Sequence, residues 1–133
     1  FPKPTGKKKT VMEAFADLPD YINGHILFET RKGTIAKFRN LKQGERLSKK
    51  FNFSRQRLYA DKPSKTVTTN PMFIHPLEDR FLTPRELARL QSFPDEFTFC
   101  GSKSSMAKQI GNAVPPLMAQ AIATKLKEVV YYA

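Results

Sequence analysis

The apolar positions of this 133-residue chain recur at three- and four-residue steps near its start and again through its C-terminal third, the spacing of one helix face. Near the start, Thr10 stands three residues before Glu13. This capping-box spacing predicts a helix from residue 11 to about residue 18, which Pro19 ends. The apolar face of that helix consists of Val11, Ala14, Phe15 and Leu18.

A second helix is predicted after Thr83, which precedes Pro84 and stands three residues before Glu86. A hydroxyl cap, a proline at the first helical position and a glutamate that can return a hydrogen bond to the cap form a complete start signal. Phe93-Pro94 ends this helix after about two and a half turns.

Two more helices complete the C-terminal part of the chain. Ser104 or Ser105 is the predicted cap of a short helix, with Gly111 as its C-terminal stop. Pro115-Pro116 then open the last helix, whose pattern predicts an amphipathic helix that needs a partner surface. Its apolar positions are Leu117, Ala121, Ile122, Leu126 and Val129.

Between these helical parts, the pattern is typical of β structure with many loops. Segments 25–29 and 34–38 have strand-like content, with Gly33 and Gly44 as turn points. The β-branched segment 66–69 predicts another strand. The expected fold class is therefore α+β, in which a small irregular β-rich domain is followed by short helices and a C-terminal amphipathic helix.

Positive charge is concentrated in one stretch of the chain. Lys and Arg number 23 against 12 Asp and Glu, and residues 31–65 contain 12 basic residues with Glu45 and Asp61 as the acidic ones. A dense basic stretch attracts phosphate backbones through counterion release. A solvated loop or a patch for anionic membranes would carry the same charge, so charge alone leaves all three interpretations open.

Other functional classes have little support in the sequence. Cys100 is the single cysteine, so an intrachain disulfide is impossible, and a small buried residue in an intracellular protein is expected. His25 and His75 have no Cys or His partner at ligand spacing, so no metal site is expected. Apolar runs stay shorter than the ~20 residues of a membrane helix. The start at Phe1 rather than Met suggests a fragment, a processed chain or an unseen beginning.

Aromatic and basic residues are interleaved in the middle of the chain. Such a mixture can stack on bases or anchor a small core beneath a basic face. The core interpretation is favoured because this region has few other apolar groups. The residues are Phe51, Phe53, Leu58 and Tyr59 among Lys49, Lys50, Arg55 and Arg57.

Two stretches, from Arg80 to Asp95 and from Gln109 to Pro116, carry a family resemblance. They contain Leu-Thr-Pro-Arg-Glu-Leu-Ala-Arg-Leu-Gln-Ser-Phe-Pro-Asp and Gln-Ile-Gly-Asn-Ala-Val-Pro-Pro. In order and spacing, they resemble the ninth and tenth sequence blocks of the DNA cytosine-5 methyltransferases. Residues 63–76 are similar to the end of the family's target-recognition region. The whole resemblance covers roughly residues 10–127.

The resemblance implies a partial enzyme. In the family, a Rossmann-like α/β domain carries a Pro-Cys nucleophile, a Glu-Asn-Val block and a Gln-x-Arg-x-Arg block. The cysteine attacks carbon 6 of a flipped cytosine, and S-adenosylmethionine gives its methyl group to carbon 5. This sequence contains none of the three motifs, and Cys100 is not the nucleophile. No catalytic residue is therefore expected here, the chain alone is expected to be inactive, and its last helix is expected to pack on the missing catalytic domain.

The segment Gly111-Asn112-Ala113-Val114-Pro115 joins two predicted helices. Physically, such a turn can hold a polar ligand or simply connect the helices. The resemblance places the tenth block against the cofactor, so Asn112 and the backbone of Ala113 are the implied S-adenosylmethionine contacts. It implies a structural charge network for Arg85, Glu86 and Arg89.

Double-stranded DNA is the implied partner of the basic region. Arginine on guanine is the commonest specific base contact, whereas lysines suit phosphates. One or two base readers are expected among the candidate DNA contacts, which are Arg31, Lys37, Arg39, Arg46, Arg55, Arg57, Lys65 and Thr66.

The chain is thus expected to comprise a linker and entry helix (1–19), a target-recognition region (20–79) and a helical C-terminal part (80–133). The leading hypothesis is a subunit or fragment of a bacterial-type DNA cytosine-5 methyltransferase of a restriction-modification system, cytoplasmic and associated with the nucleoid. It would act together with a catalytic half. A non-catalytic DNA-binding protein derived from the family and an RNA cytosine-5 methyltransferase fragment stay open as alternatives.

Overall fold

The computed structural model describes residues 2, 3, 6, 8–48 and 55–131, without the side chain of Tyr131. Lys49, Lys50, Phe51 and Phe53 lie outside these residues. The elements follow in the order α1 (Val11–Phe15), α2 (Lys32–Arg39), β1 (Gln56–Arg57), β2 (Phe73–Ile74), α3 (Pro84–Leu90), α4 (Lys103–Asn112) and α5 (Pro116–Tyr131).

The predicted capping boxes of α1 and α3 are both present. The Thr10 hydroxyl accepts a hydrogen bond from the Glu13 N–H at 3.2 Å, and the Thr10 N–H donates to the Glu13 carboxylate at 2.7 Å. Thr83 and Glu86 make the same two bonds at the start of α3. The sequence therefore identified both starts, although α1 ends at Phe15, before the predicted end at residue 18.

Of the last two helices, only α5 begins where the sequence predicted. Helix α5 begins at Pro116 as expected. Helix α4 is capped by Ser102, whose hydroxyl accepts from the Ser105 N–H at 3.2 Å, so the predicted cap at Ser104 or Ser105 was wrong. Gly111 was the predicted C-terminal stop of this helix, but it lies inside the last turn of α4.

The β predictions were largely wrong. Segment 34–38 belongs to helix α2. Phe38 is fully buried, and its carbonyl accepts from Arg57 Nη2 at 2.7 Å in addition to the Leu41 N–H at 2.9 Å. Segments 25–29 and 66–69 form no strand. The described residues are mixed helix with few strands, so the α+β class holds but the β-rich region does not.

The small sheet connects the middle of the chain to its C-terminal part. Strands β1 and β2 are parallel, with Gln56 opposite Phe73 and Arg57 opposite Ile74. An antiparallel bridge joins Ile74 to Phe81, just before α3. The side chains of the middle region are therefore held in register with the start of α3.

The hydrophobic core lies between α1, α3 and α4. Its buried residues include Val11, Phe15, Leu58, Val67, Leu82, Leu87, Phe99, Met106 and Ile110. Cys100 is exposed, so the expectation of a buried cysteine was wrong, and the neighbouring Phe99 fills the interior instead. Helix α5 contributes no buried residue to this core.

Candidate nucleic-acid interface

A buried ion pair between Arg80 and Glu86 fixes the start of α3. Two guanidinium nitrogens of Arg80 donate to the two Glu86 oxygens at 2.9 and 2.7 Å, and Glu86 also accepts from the Thr83 N–H at 2.7 Å. Glu86 is only 2% exposed. The capping box predicted the bond from Thr83, but nothing in the sequence identified Arg80 as the partner of Glu86.

His75 completes this charged cluster from the end of β2. Its Nδ1 accepts from the Leu77 and Glu78 N–H groups at 3.2 and 3.0 Å, which leaves the proton of the neutral ring on Nε2, 3.9 Å from Glu86. Burial lowers the pKa of His75, and the attraction of Glu86 offsets only part of that effect. His75 is therefore a neutral structural group.

Arg85 and Arg89 extend the network to the loops on both sides of α3. Arg85 has no exposed surface, and its guanidinium donates to the carbonyls of Asn23, Pro94 and Phe97 at 2.7, 3.2 and 2.6 Å. Burial lowers the pKa of Arg85. Arg89 binds Asp95, and that hydrogen bond lowers the pKa of the Asp95 carboxyl. The structural role expected for Arg85, Glu86 and Arg89 agrees with these contacts.

Three of the expected DNA contacts line one open cleft of about 450 Å³. Arg46, Lys65 and Thr66 are all exposed there. They come together because Arg46 is bridged to Gln56, while segment 64–73 runs along the same side of β1. The remaining lining residues are Gln56, Ser64, Thr68, Asn70, Pro71, Met72 and Phe73.

Helix α2 carries three further candidates on its exposed surface. Arg31 precedes the helix, and Lys37 and Arg39 lie on its last turn. The Arg39 guanidinium is 3.6 Å from Asp79 but remains 75% exposed, so this pair leaves it accessible. The helix therefore presents a second basic surface besides the cleft.

Arg57 is buried, with only 5% of its surface exposed, and does not belong to either surface. Its guanidinium donates to the carbonyls of His75, Glu78 and Phe38 and to the Asp79 carboxylate, at 2.6 to 3.0 Å. This geometry argues against the expected contact with DNA, because both Nη atoms already bind acceptors inside the protein and Nε is buried. The sequence around Arg57 gave no signal of this burial.

Arg55, two residues before Arg57, is half-buried at the edge of this region. Its guanidinium carbon lies 5.3 Å from the centroid of the Phe81 ring. Tyr59 is 40% exposed, and the Lys62 Nζ lies 4.0 Å from the centroid of its ring. Its ring also covers Gly44, whose φ of +85° suits glycine. Leu58 is buried, so the core interpretation of the interleaved residues fits Leu58 but not Tyr59.

The two residues expected at the cofactor lie at the junction of α4 and α5. Asn112 is the last residue of α4 and is exposed. Ala113 is half-buried, and its N–H donates to the Ile110 carbonyl at 3.2 Å. The Asn112 side-chain amide is therefore accessible to a polar ligand, whereas the Ala113 N–H already has a partner.

Gly111 holds this junction close to the cleft. A side chain at Gly111 would place its Cβ 2.2 Å from the Thr68 carbonyl oxygen and 2.5 Å from the Thr69 nitrogen. Only glycine allows the two backbones to approach so closely. The end of α4 and the segment that lines the cleft are therefore in direct backbone contact.

Within the described part of the chain, no group of three or more His, Cys, Asp or Glu residues is placed to hold a metal ion. None of the helices described there combines the length and the apolar character needed to cross a membrane.

The fold matches half of a solved protein of the DNA methyltransferase class. A crystal structure of a candidate DNA modification methyltransferase, encoded within an Escherichia coli prophage, superposes with a TM-score of 0.77. The match covers 96% of this chain and 49% of that protein, at 24% sequence identity. This likeness establishes the fold.

Sequence comparison gives the family. The model of the family described as C-5 cytosine-specific DNA methylase matches residues 5–128, and the chain belongs to that family. It is 43% identical over 124 residues to the type II methyltransferase M.AquIB of Picosynechococcus, across 81% of this chain and 89% of that protein. It is 39% identical over 132 residues to the candidate type II methyltransferase M.MJ0563P of Methanocaldococcus jannaschii, across 96% of this chain.

The relatives differ in how much of their length this chain represents. It spans 43% of the Methanocaldococcus protein and 36% of the type II methyltransferase M.BbvI of Brevibacillus brevis, but 89% of M.AquIB. Members of this family therefore include both proteins much longer than this chain and a protein of similar length.

Proposed function

We propose that this chain is the target-recognition and C-terminal part of a DNA cytosine-5 methyltransferase, which acts together with a catalytic half. The observation that carries the proposal is the division of the basic residues. The arginines of the α3 network are buried or paired, whereas Arg46 and Lys65 are exposed in a cleft beside a family-specific framework. Such a surface can bind a polyanion without disturbing the fold.

Within this proposal, duplex DNA lies across the cleft and helix α2, inside the region 20–79. Lysines and exposed arginines contact phosphates, and Thr66 offers a hydroxyl at the cleft wall. Arg57 is excluded from the contacts because it is buried. The proposed DNA contacts are Arg31, Lys37, Arg39, Arg46, Arg55, Lys65 and Thr66.

The reaction itself is assigned to the other half. The sequence lacks a Pro-Cys pair, so the nucleophile comes from the catalytic half, and the chain alone is inactive. S-adenosylmethionine supplies the methyl group when it is bound. The accessible amide of Asn112 fits a polar contact to that cofactor, and the half-buried Ala113 would line its edge.

Helix α5 is proposed to carry the contact with the catalytic half. Leu126, Val129 and Val130 are 60%, 58% and 72% exposed, although they are apolar. An amphipathic helix that leaves such residues in water is stabilised when a second surface covers them. The match to 89% of M.AquIB supports an arrangement in which this chain and the catalytic half are separate polypeptides. The matches to longer relatives support an arrangement in which both belong to one polypeptide. Either arrangement acts on DNA in the cytoplasm of a bacterial-type cell.

Reconstitution tests this function. The chain is mixed with the part of the Methanocaldococcus relative that lies outside the match, and transfer of labelled methyl groups to duplex DNA is measured. A chimaera in which this chain replaces the matched region is assayed in parallel. We expect cytosine methylation only when both halves are present. Failure of the mixture and the chimaera would contradict the proposal, and preferential methylation of transfer RNA would support the RNA alternative.

A further inference from the structure

Among the candidate DNA contacts in the described part of the chain, Arg55 is the one whose guanidinium lies over an aromatic ring. Its guanidinium lies over the Phe81 ring at 5.3 Å, and the residue is half-buried. Arg46 and Lys65 have no aromatic partner within the described residues. Arg55 therefore loses less side-chain freedom than they do when it binds a ligand.

Both members of this contact are held by the fold. The Arg55 carbonyl accepts from the Leu47 N–H at 2.8 Å, and the two residues that follow form β1. The Phe81 ring packs edge-on against buried Phe38, with 5.0 Å between centroids and an interplanar angle of 80°. The Phe81 backbone is bridged to Ile74 of β2. The position of the guanidinium is thus set from two sides.

The Arg55 donors remain available. Within the described residues, no carboxylate or carbonyl accepts a hydrogen bond from this side chain, in contrast to the four acceptors around Arg57. Contact with a ring uses the face of the guanidinium and leaves its N–H groups at the edge. A planar fork of this kind matches two acceptors on a base edge, above all O6 and N7 of guanine.

We propose that Arg55 determines target specificity by reading a guanine, and that Phe81 is the positioning residue that holds it. This inference rests on the proposed function, because it requires duplex DNA as the ligand. Lys65 and Arg46, which lack such support, bind phosphates. Phe81 lies between Arg80 and Leu82 in the stretch that resembles the ninth family block, so a framework segment sets the geometry of the reading arginine.

Selection from a pool of duplexes with a randomised segment tests the assignment. The 133-residue chain is compared with Arg55→Lys, Phe81→Leu, Phe81→Tyr and Lys65→Ala, after thermal melts have shown which variants fold. For Arg55→Lys, we expect the preference for guanine at one position to fall about tenfold, with binding to unrelated duplexes retained. Phe81→Leu is expected to reduce the same preference, and Phe81→Tyr to keep it.

Lys65→Ala provides the matched control. It is expected to weaken binding to all duplexes alike, without changing the preferred sequence. Because about one phosphate contact is lost, the slope of log affinity against log salt concentration is expected to fall by about one. In the Arg55→Lys background, Phe81→Leu is expected to cause no further loss of preference.

The outcomes separate the two proposals. If neither the unchanged chain nor its mixture with the catalytic half binds duplex DNA, the proposed function fails and the role of Arg55 fails with it. If the chain binds but selects no sequence, or if Arg55→Lys lowers affinity uniformly and keeps the preferred sequence, only the role of Arg55 is overturned.

Discussion

Helices α3 and α5 differ in which of their side chains are buried and which are exposed. Helix α3 buries charged residues, with Arg85 fully buried and Glu86 2% exposed, and supplies every one of those charges with partners. Helix α5 leaves apolar residues in water, with Leu117 at 65% and Val130 at 72% exposure. Buried charges that all have hydrogen-bond partners need no further contact. Exposed apolar residues, in contrast, are stabilised when a second surface covers them.

The largest effect is expected from removing the central carboxylate of α3. Glu86→Ala leaves the Arg80 guanidinium with Glu78 and the Phe81 carbonyl and removes the side-chain acceptor of the Thr83 N–H. We expect a loss of about 3–5 kcal/mol in the free energy of unfolding, as for other broken buried pairs. Urea unfolding followed by circular dichroism measures it.

Glu128→Ala is the matched control for that variant. Its partner is Lys125, and both side chains are 51% exposed on α5. The expected loss is below about 1 kcal/mol. Equal losses for Glu86→Ala and Glu128→Ala would show that the α3 network does not stabilise the chain as argued.

The sequence predicted α3 more completely than the region it supports. The local signal at Thr83 and Glu86 specifies the cap, and the same two residues make it in the structure. Helix α2, in contrast, is stabilised in part by contacts distant in sequence, since Phe38 is buried and Arg57 donates to its carbonyl. Propensity favoured a strand there, and no local pattern reveals a tertiary hydrogen bond.

The candidate site shows the same limit. Charge density pointed to Arg46 and Lys65, which are exposed, but it could not separate them from Arg57, which is buried. Two arginines two residues apart, Arg55 and Arg57, have different surroundings because only Arg57 reaches the carbonyls of Phe38 and His75. Residue type specifies which contacts are possible, and packing decides which ones form.

Gly111→Ala tests the contact that joins α4 to the cleft. The added Cβ would lie 2.2 Å from the Thr68 oxygen, a backbone atom that cannot turn away, so one of the two segments must move. We expect a loss of about 1–3 kcal/mol in the free energy of unfolding. Gly33→Ala in α2 is the control, since a Cβ there has nothing within 4 Å. It is expected to leave stability unchanged or to raise it by up to about 1 kcal/mol. Comparable losses for both variants would show that the close contact between Gly111 and Thr68 does not cause the loss.

Leu126→Asp tests whether α5 is completed by a partner. Leu126 is 60% exposed, so we expect the unfolding free energy of the chain to change by less than about 0.5 kcal/mol. Association with the catalytic half is expected to weaken by at least about tenfold, measured by titration calorimetry.

Thr124→Asp is the control for Leu126→Asp, because it adds the same charge about 160° away around the helix. Its hydroxyl donates to the Gln120 carbonyl within α5. Association is expected to stay within a factor of about two, since a charge outside the interface contributes little. Equal weakening by both variants would mean that the exposed apolar face is not the contact surface.

The smallest expected effect is a loss of stability in acid that comes from His75. Burial lowers the pKa of His75 from its ordinary value of 6.5, so the unfolded chain takes up this proton at a higher pH than the folded chain does. Stability from the neutral ring is therefore complete above pH 6.5 and is lost as the pH falls from there through the folded pKa. We expect a lower urea midpoint at pH 5.5 than at pH 7.5, and this difference should shrink in His75→Asn, whose amide oxygen can still accept from the Leu77 and Glu78 N–H groups. The lowered pKa values of Glu78 and Asp95 affect stability only in stronger acid, below this interval. An unchanged difference in His75→Asn would place the acid sensitivity elsewhere.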